Sequence, residues 1–218
     1  MERVSNQSYV DQIWADFYRE SPSLMSFAEP IGNAYSLLQD VLREGGQILV
    51  CGNGGSASDS EHIAGELAKP CALERPLGAD LRLALRDAGD DGYLSDNLQR
   101  GLPVLPLVSQ AALITAIVND QGGDLIFAQQ VVVYGRPGDL LWALSTSGNS
   151  SNVVYALRTA RALGMRTIGF SGIAMSEMSE LCDVIVGLPG TSVPTIQHSH
   201  QLVYHTLCLA IEADWYSS

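Results

Sequence analysis

Short apolar runs alternate with stretches of helical periodicity along most of the chain. The apolar runs predict strands at residues 47–51, 104–108, 139–145, 166–170 and 183–188. Nearly every residue in these runs is apolar, which is typical of strands that are buried on both faces. The periodic stretches predict helices at residues 7–20, 31–44, 57–67, 109–117, 124–134, 150–163, 174–181 and 194–214. Strands that alternate with helices predict an α/β fold, in which a parallel sheet has helices on both faces.

Two loops rich in serine and glycine follow the first and third of these strands, at residues 52–58 and 145–152. Each loop also precedes a predicted helix. A helix start presents unpaired backbone N–H groups and the positive end of the helix dipole, and both attract an anion. Glycine lets the backbone approach a phosphate closely, and hydroxyl groups add donors. Because ligands bind at the carboxyl ends of parallel strands, the two loops predict a site for a phosphorylated ligand.

Two segments lie outside the regular alternation. Residues 1–30 are predicted to form an N-terminal helical segment that precedes an α/β domain over residues 31–218. Residues 70–103 are rich in Leu, Arg, Asp and Gly, and they are interpreted as an insertion that forms a flap or a helical hairpin. The acidic run at residues 87–92 predicts a solvated turn, because its spacing does not match a calcium-binding loop.

Composition narrows the ligand class. The chain has 218 residues, 46% of them hydrophobic, and a net charge of −12. This charge argues against nucleic acid, and it requires an anionic substrate to be bound locally by N–H and hydroxyl groups. No GxGxxG or GxxxxGK[ST] pattern is present, so no nucleotide cofactor is expected. The four scattered cysteines, and the lack of a signal peptide or a long apolar run, predict a cytoplasmic protein without membrane contact.

The four histidines fall in two short stretches, each within a predicted helix. His62 and Glu66 are four residues apart and share a helix face, directly after the first Ser/Gly loop. His198 and His205 share a face of the last helix, and Gln197 lies about 80° round from His205. His62 and Glu66 suit either a divalent metal or proton transfer. The alternative is an ordinary exposed helix pair.

Together these segments resemble the sugar isomerase (SIS) domain proteins and, among them, the phosphoheptose isomerases. The resemblance rests on residues 51–56, His62 with Glu66, residues 119–120, residues 145–150, and Gln197 with His205. It implies a three-layer sandwich around a five-stranded parallel sheet, in a homotetramer with active sites at subunit interfaces. It also implies conversion of D-sedoheptulose 7-phosphate to D-glycero-D-manno-heptose 7-phosphate through an enediol.

The resemblance assigns roles to individual residues. The residues implied to bind the substrate are Asn53, Gly54, Gly55, Ser56, Glu66, Asn119, Asp120, Ser145, Thr146, Ser147, Ser150 and Gln197. The residues implied to hold one zinc ion per subunit are His62, Glu66, Gln197 and His205. Glu66 is the expected base and His205 the expected acid. Glu66 is thus assigned both as a metal ligand and as a base, and the sequence does not decide between the two.

Two departures from the family bear on the substrate. Residues 70–103 are longer than the corresponding family segment, and Pro194-Thr195 stand where the family has an acidic-basic pair. The alternatives are therefore an isomerase of another sugar phosphate, or a non-catalytic SIS protein that binds a partner such as a replication initiator. A sugar-phosphate sensor with a DNA-binding domain is less favoured, because the sequence contains no basic helix-turn-helix.

Overall fold

Five parallel strands form the centre of the molecule. The computed structural model describes residues 6–217. The strands are β1 (Ile48–Gly52), β2 (Val104–Pro106), β3 (Leu140–Leu144), β4 (Arg166–Gly172) and β5 (Val184–Leu188). They pair in the order β2-β1-β3-β4-β5, with Ile48 opposite both Val104 and Leu140. Every residue of β1 and β3 is buried, which confirms the prediction of strands covered on both faces.

Helices connect the strands and cover the sheet. The α-helices are α1 (Asn6–Glu20), α2 (Ala28–Arg43), α3 (Gly55–Ala68), α4 (Ala79–Asp87), α5 (Tyr93–Asn97), α6 (Ala111–Asp120), α7 (Ile126–Tyr134), α8 (Ser151–Ala162), α9 (Glu177–Leu181) and α10 (Val193–Tyr216). Short 3₁₀ turns span Pro22–Phe27 and Gly123–Leu125. Within residues 6–217, no helix combines the length and the apolarity that crossing a bilayer requires.

Alternate residues of each strand point into two separate cores. Val50 and Trp142 belong to a core with residues of α2, α3 and α10 on one side of the sheet. Leu49 and Leu141 belong to a core with residues of α7, α8 and α9 on the other side. The period of two persists within the wholly apolar strands because successive side chains point to opposite faces. The expected three-layer sandwich is confirmed.

The N-terminal helix packs onto the last helix. Val10 of α1 is buried with Ala210 and Ala213 of α10. Trp14 also contacts Tyr35 of α2 edge to face, with ring centroids 5.5 Å apart. Helix α1 is therefore packed against the helices on one side of the sheet. The proposed division of the chain at residue 30 stays a prediction.

Several boundaries differ from those predicted. The edge strand β2 ends at Pro106 rather than at residue 108, and an edge position suits a proline because it lacks an N–H group. Helix α9 begins at Glu177 rather than at residue 174, because Ser176 forms a reciprocal cap with Ser179. Helix α6 continues to Asp120, whereas the periodicity predicted an end at residue 117.

Helices α4 and α5 form a hairpin within residues 70–103. None of the residues of α4 is buried. The base of the hairpin is closed by an antiparallel bridge between Pro76 and Gln99. Asp90 in the acidic run accepts hydrogen bonds from the backbone N–H groups of Leu94 and Ser95, both at 2.9 Å, and so caps α5. Whether this hairpin is an insertion relative to the family stays a prediction.

Candidate active site

Both Ser/Gly loops line one cavity at the carboxyl ends of β1 and β3. Its volume is about 280 Å³. The lining residues are Asn53, Gly54, Gly55, Ser56, Leu144, Ser145, Thr146, Ser150, Val193 and Gln197. The fold thus brings seven of the predicted loop residues and Gln197 of α10 to the same place.

The loops start two helices whose first turns have no side-chain cap. Gly54 precedes α3 and Ser150 precedes α8, and among residues 6–217 no side chain at either cap position accepts a hydrogen bond from the N–H groups of the helix that follows. Backbone N–H groups at these helix starts are therefore suited to an anion. Gly54 has a φ of +58°, a conformation that favours glycine. The side chains of Asn53 and Asn152 exchange hydrogen bonds of 2.8 and 2.9 Å, which join the two loops.

Hydroxyl groups of the second loop form a cluster. The Oγ atom of Ser145 lies 3.1 Å from Oγ of Ser150 and 3.4 Å from Oγ of Ser147. Ser145 is buried, whereas Ser147 is exposed and lies outside the lining of the cavity. Ser145 and Ser150 therefore offer two adjacent hydroxyl donors at the cavity wall.

Glu66 meets two histidines where α3 packs against α10. Its Oε1 atom lies 2.6 Å from Nδ1 of His205 and 3.5 Å from Nε2 of His62. A carboxylate only accepts, so the His205 N–H donates in a short, charge-assisted hydrogen bond. The rings of His62 and His205 stand edge to face, with centroids 4.7 Å apart. The three side chains therefore form one cluster, which we call the histidine group.

These three residues fit a divalent metal ion. One ligand atom from each of His62, Glu66 and His205 lies within 4.8 Å of the others. The second carboxylate oxygen of Glu66 is buried, and it has no hydrogen-bond partner among residues 6–217. Two imidazoles and a carboxylate are a common zinc ligand set, and an unpartnered buried oxygen is costly unless it is ligated. Gln197, the fourth implied ligand, lines the cavity between the Ser/Gly loops, with its side-chain amide close to Gly55.

Tyr204 and Asp59 form a hydrogen-bonded pair next to His62. The Tyr204 hydroxyl donates to Oδ1 of Asp59 at 3.2 Å and lies 3.5 Å from Nδ1 of His62. Burial, and then the Asp59 carboxylate, raise the pKa of Tyr204, so its hydroxyl stays protonated. Gln201 also donates to Asp59, at 3.3 Å. Sequence reasoning missed all three residues; the one available signal was that Asp59 lies a helical turn before His62.

Two histidines of α10 and the two implied substrate ligands of α6 lie elsewhere. His198 is exposed, and His200 is buried with Nε2 at 3.2 Å from the carbonyl oxygen of Ser171. Burial lowers the pKa of His200, which favours a neutral core side chain. Asn119 and Asp120 are exposed on the last turn of α6, and the Asn119 amide donates to Asp120 at 2.7 Å. Within this chain these two residues do not line the cavity.

A family model for the SIS domain matches residues 17–100 and 99–172. The chain belongs to the SIS-domain family. Curated relatives of this SIS-domain protein place it in the phosphoheptose isomerase branch. The phosphoheptose isomerase of Aliarcobacter butzleri is 40% identical over 84% of this chain and 85% of the relative. The phosphoheptose isomerase of Rhodospirillum rubrum is 39% identical over 85% of this chain and 86% of the relative.

Solved structures agree with the sequence relatives. The phosphoheptose isomerase of Neisseria gonorrhoeae superposes with a TM-score of 0.71 and 30% identity, over 94% of this chain and 98% of that one. The phosphoheptose isomerase of Francisella tularensis superposes with a TM-score of 0.69 and 27% identity, over 94% of this chain and 95% of that one. The SIS fold therefore extends over nearly the whole chain.

Two helices connect the two parts of the site in this SIS-domain protein. Helix α3 carries Ser56 at the cavity and Glu66 at the histidine group. Helix α10 carries Gln197 at the cavity and His205 at the histidine group. Glu66 lies ten positions after Ser56 on α3, about 15 Å along the helix axis. An anion in the cavity and the histidine group are thus held on the same two helices.

Proposed function

We propose that this SIS-domain protein is a phosphoheptose isomerase that converts D-sedoheptulose 7-phosphate to D-glycero-D-manno-heptose 7-phosphate. The observation that carries the proposal is the 2.6 Å contact between Glu66 and His205. These residues lie on the two helices that begin at the anion cavity. The names of the relatives support the same reaction.

The reaction moves two hydrogens between neighbouring atoms. A base takes a proton from C1 of the ketose and returns it to C2, through a cis-enediol. A second group moves the hydroxyl proton from O1 to O2, so that the aldose has the same atoms as the ketose. The chemistry requires a base over the carbons and an acid near the oxygens, and no redox partner.

Residues of this chain fill both roles in the proposal. The substrate phosphate binds in the cavity, on the hydroxyls of Ser56, Ser145 and Ser150 and on N–H groups at the starts of α3 and α8. Glu66, whose side chain is 12% exposed, removes and returns the carbon-bound proton. His205 carries the proton on the oxygen side. The hydrogen bond between Glu66 and His205 fixes the position of the base relative to the acid.

A zinc ion belongs to the proposal. His62, Glu66 and His205 would hold it, with Gln197 as the further ligand implied by the resemblance. When bound, zinc supplies a Lewis acid that polarises the substrate oxygens. The buried, unpartnered oxygen of Glu66 supports this assignment.

The proposal extends to assembly and compartment. The resemblance implies a homotetramer with active sites at subunit interfaces, located in the cytoplasm. Asn119 and Asp120, which are implied substrate ligands, are exposed and lie away from the cavity of their own chain. A second subunit that brings its copies of these residues to the cavity would reconcile their placement with their implied role.

A panel of ketose phosphates with five to seven carbons tests the function, with zinc supplied and with a chelator. We expect turnover of sedoheptulose 7-phosphate and loss of turnover after chelation. Turnover of a shorter ketose phosphate alone would indicate another sugar phosphate. Folded, zinc-supplied protein that turns over none of them would reject the enzyme in favour of a non-catalytic SIS protein that binds a partner.

A further inference from the structure

Arg75 is a fully buried arginine that the proposed reaction does not use. Its side chain is 0% exposed, although it lies in the loop that follows α3. A buried guanidinium is costly unless its donors and its charge are matched. The contacts of the Arg75 side chain therefore indicate why it is buried.

The guanidinium of Arg75 binds the end of the helix that carries Glu66. One terminal nitrogen donates to the carbonyl oxygen of Leu67 at 2.7 Å, and the other to the carbonyl oxygen of Glu66 at 2.9 Å. Both carbonyls lie in the last turn of α3, where a helix has no internal partners for them. Arg75 thus fastens the backbone of Glu66 itself.

Glu212 of α10 holds Arg75 in place. The Nε atom of Arg75 donates to Oε1 of Glu212 at 2.8 Å, and Glu212 is also 0% exposed. Glu212 further accepts backbone N–H groups of residues 71–73, at 2.7 to 3.2 Å. Glu212 lies seven residues after His205 on the same helix. The pair therefore links the end of α3 to the helix that carries the proposed acid.

We propose that Arg75, anchored by Glu212, is a positioning residue that sets Glu66 against His205. The inference deepens the proposed function and depends on it. Two carbonyls fixed by one planar guanidinium set both the height and the rotation of the last turn of α3. The 2.6 Å contact with His205 requires this accuracy, because a displacement of about 1 Å lowers catalytic rates as much as a hundredfold.

The test substitution is Arg75→Lys in the full chain. Lysine retains the charge that faces Glu212 but lacks the planar fork that reaches both carbonyls. The matched control is Arg100→Lys. Both guanidinium groups lie over the ring of Tyr216, at 4.9 Å for Arg75 and 4.8 Å for Arg100. Among residues 6–217, the side chain of Arg100 makes no hydrogen bond to α3.

We expect Arg75→Lys to lower kcat about ten- to a hundredfold while KM changes less than about threefold. The inhibition constant of inorganic phosphate should stay unchanged, because the anion cavity lies at the other end of α3. Arg100→Lys should match the wild type. Glu66→Asp supplies a further measurement: Arg75→Lys should cost much less in that background, since both changes act on one contact.

Other results would overturn the inference. A folded Arg75→Lys variant with wild-type kcat would show that Arg75 does not act through Glu66. The same conclusion would follow if Arg75→Lys lowered kcat by the same factor in the Glu66→Asp background as in the wild type. If Arg75→Lys does not fold, Glu212→Gln replaces it with the same expectations. If neither variant folds, Arg75 is structural and the inference is wrong. A wild-type protein without isomerase activity rejects the proposed function itself, which separates that failure from a failure of the positioning role.

Discussion

Replacing Glu66 by glutamine removes the proposed base with little change in shape. Glutamine has nearly the same volume, and its amide oxygen can still accept from His205. The loss of a general base costs about 10²- to 10⁴-fold in kcat, which corresponds to about 3–5 kcal/mol on the barrier. Weakening the hydrogen bond to His205 costs about 1 kcal/mol of stability, or a fall of about 2–4 °C in Tm for a chain of this size.

Substrate binding should survive this substitution. Glu66 lies about 15 Å along α3 from Ser56 at the cavity, so the inhibition constant of inorganic phosphate should not change. The assay follows turnover together with exchange of the C1 hydrogen in D₂O by NMR, which reports proton removal directly. Glu61→Gln is the control, because Glu61 is exposed on the same helix and, within the described part of the chain, its side chain accepts only from the Ser109 hydroxyl, at 2.9 Å. Glu66→Gln that exchanges and turns over like the wild type would refute the assignment of the base.

Two further substitutions test the anion cavity and the buried histidine. Gly55→Ala would place a Cβ against the Gln197 amide nitrogen and displace the Gln197 side chain, which lines the anion cavity. The inhibition constant of phosphate should therefore rise about tenfold, the scale of one hydrogen bond to a charged group. Gly65→Ala is the control: its Cβ would meet nothing within 4 Å, so the inhibition constant of phosphate should stay unchanged. The pKa of His200 is lowered from 6.5 by burial, so below that pH the unfolded chain binds a proton that the folded chain does not. His200→Gln should therefore reduce the loss of stability between pH 7.5 and 5.5 that urea unfolding measures, and parallel pH profiles would contradict this.

The sheet and its two loops could be predicted from local pattern alone. Each strand is a mostly apolar run between turn residues, and most helices repeat their apolar residues at helical spacing. The Ser/Gly loops at residues 52–58 and 145–152 stand out because the small residues come directly after such runs. His62 and Glu66 could also be paired, since four residues along a helix bring side chains together. All of these features are determined by residues that are close together in the sequence.

Contacts between distant segments needed the fold. Glu66 and His205 are 139 residues apart, and they meet only because α3 packs against α10. Asp59 and Tyr204, 145 residues apart, were missed for the same reason. Periodicity could not rank the histidines of α10 either, because which face of a long helix is covered depends on what packs there. His200 is buried against β4, and His198 is exposed.

The two Ser/Gly loops separate the features that local sequence predicts from the features that require the tertiary structure. By itself the sequence determined that each loop follows a buried strand and starts a helix, because backbone propensity and apolar runs are local. Only the tertiary structure decided that both loops line one cavity and that α3 and α10 continue from it to Glu66 and His205. It alone placed Arg75 under the last turn of α3. Sheet order and helix packing are set by the burial of surfaces distant in sequence, and no local pattern records which surfaces meet.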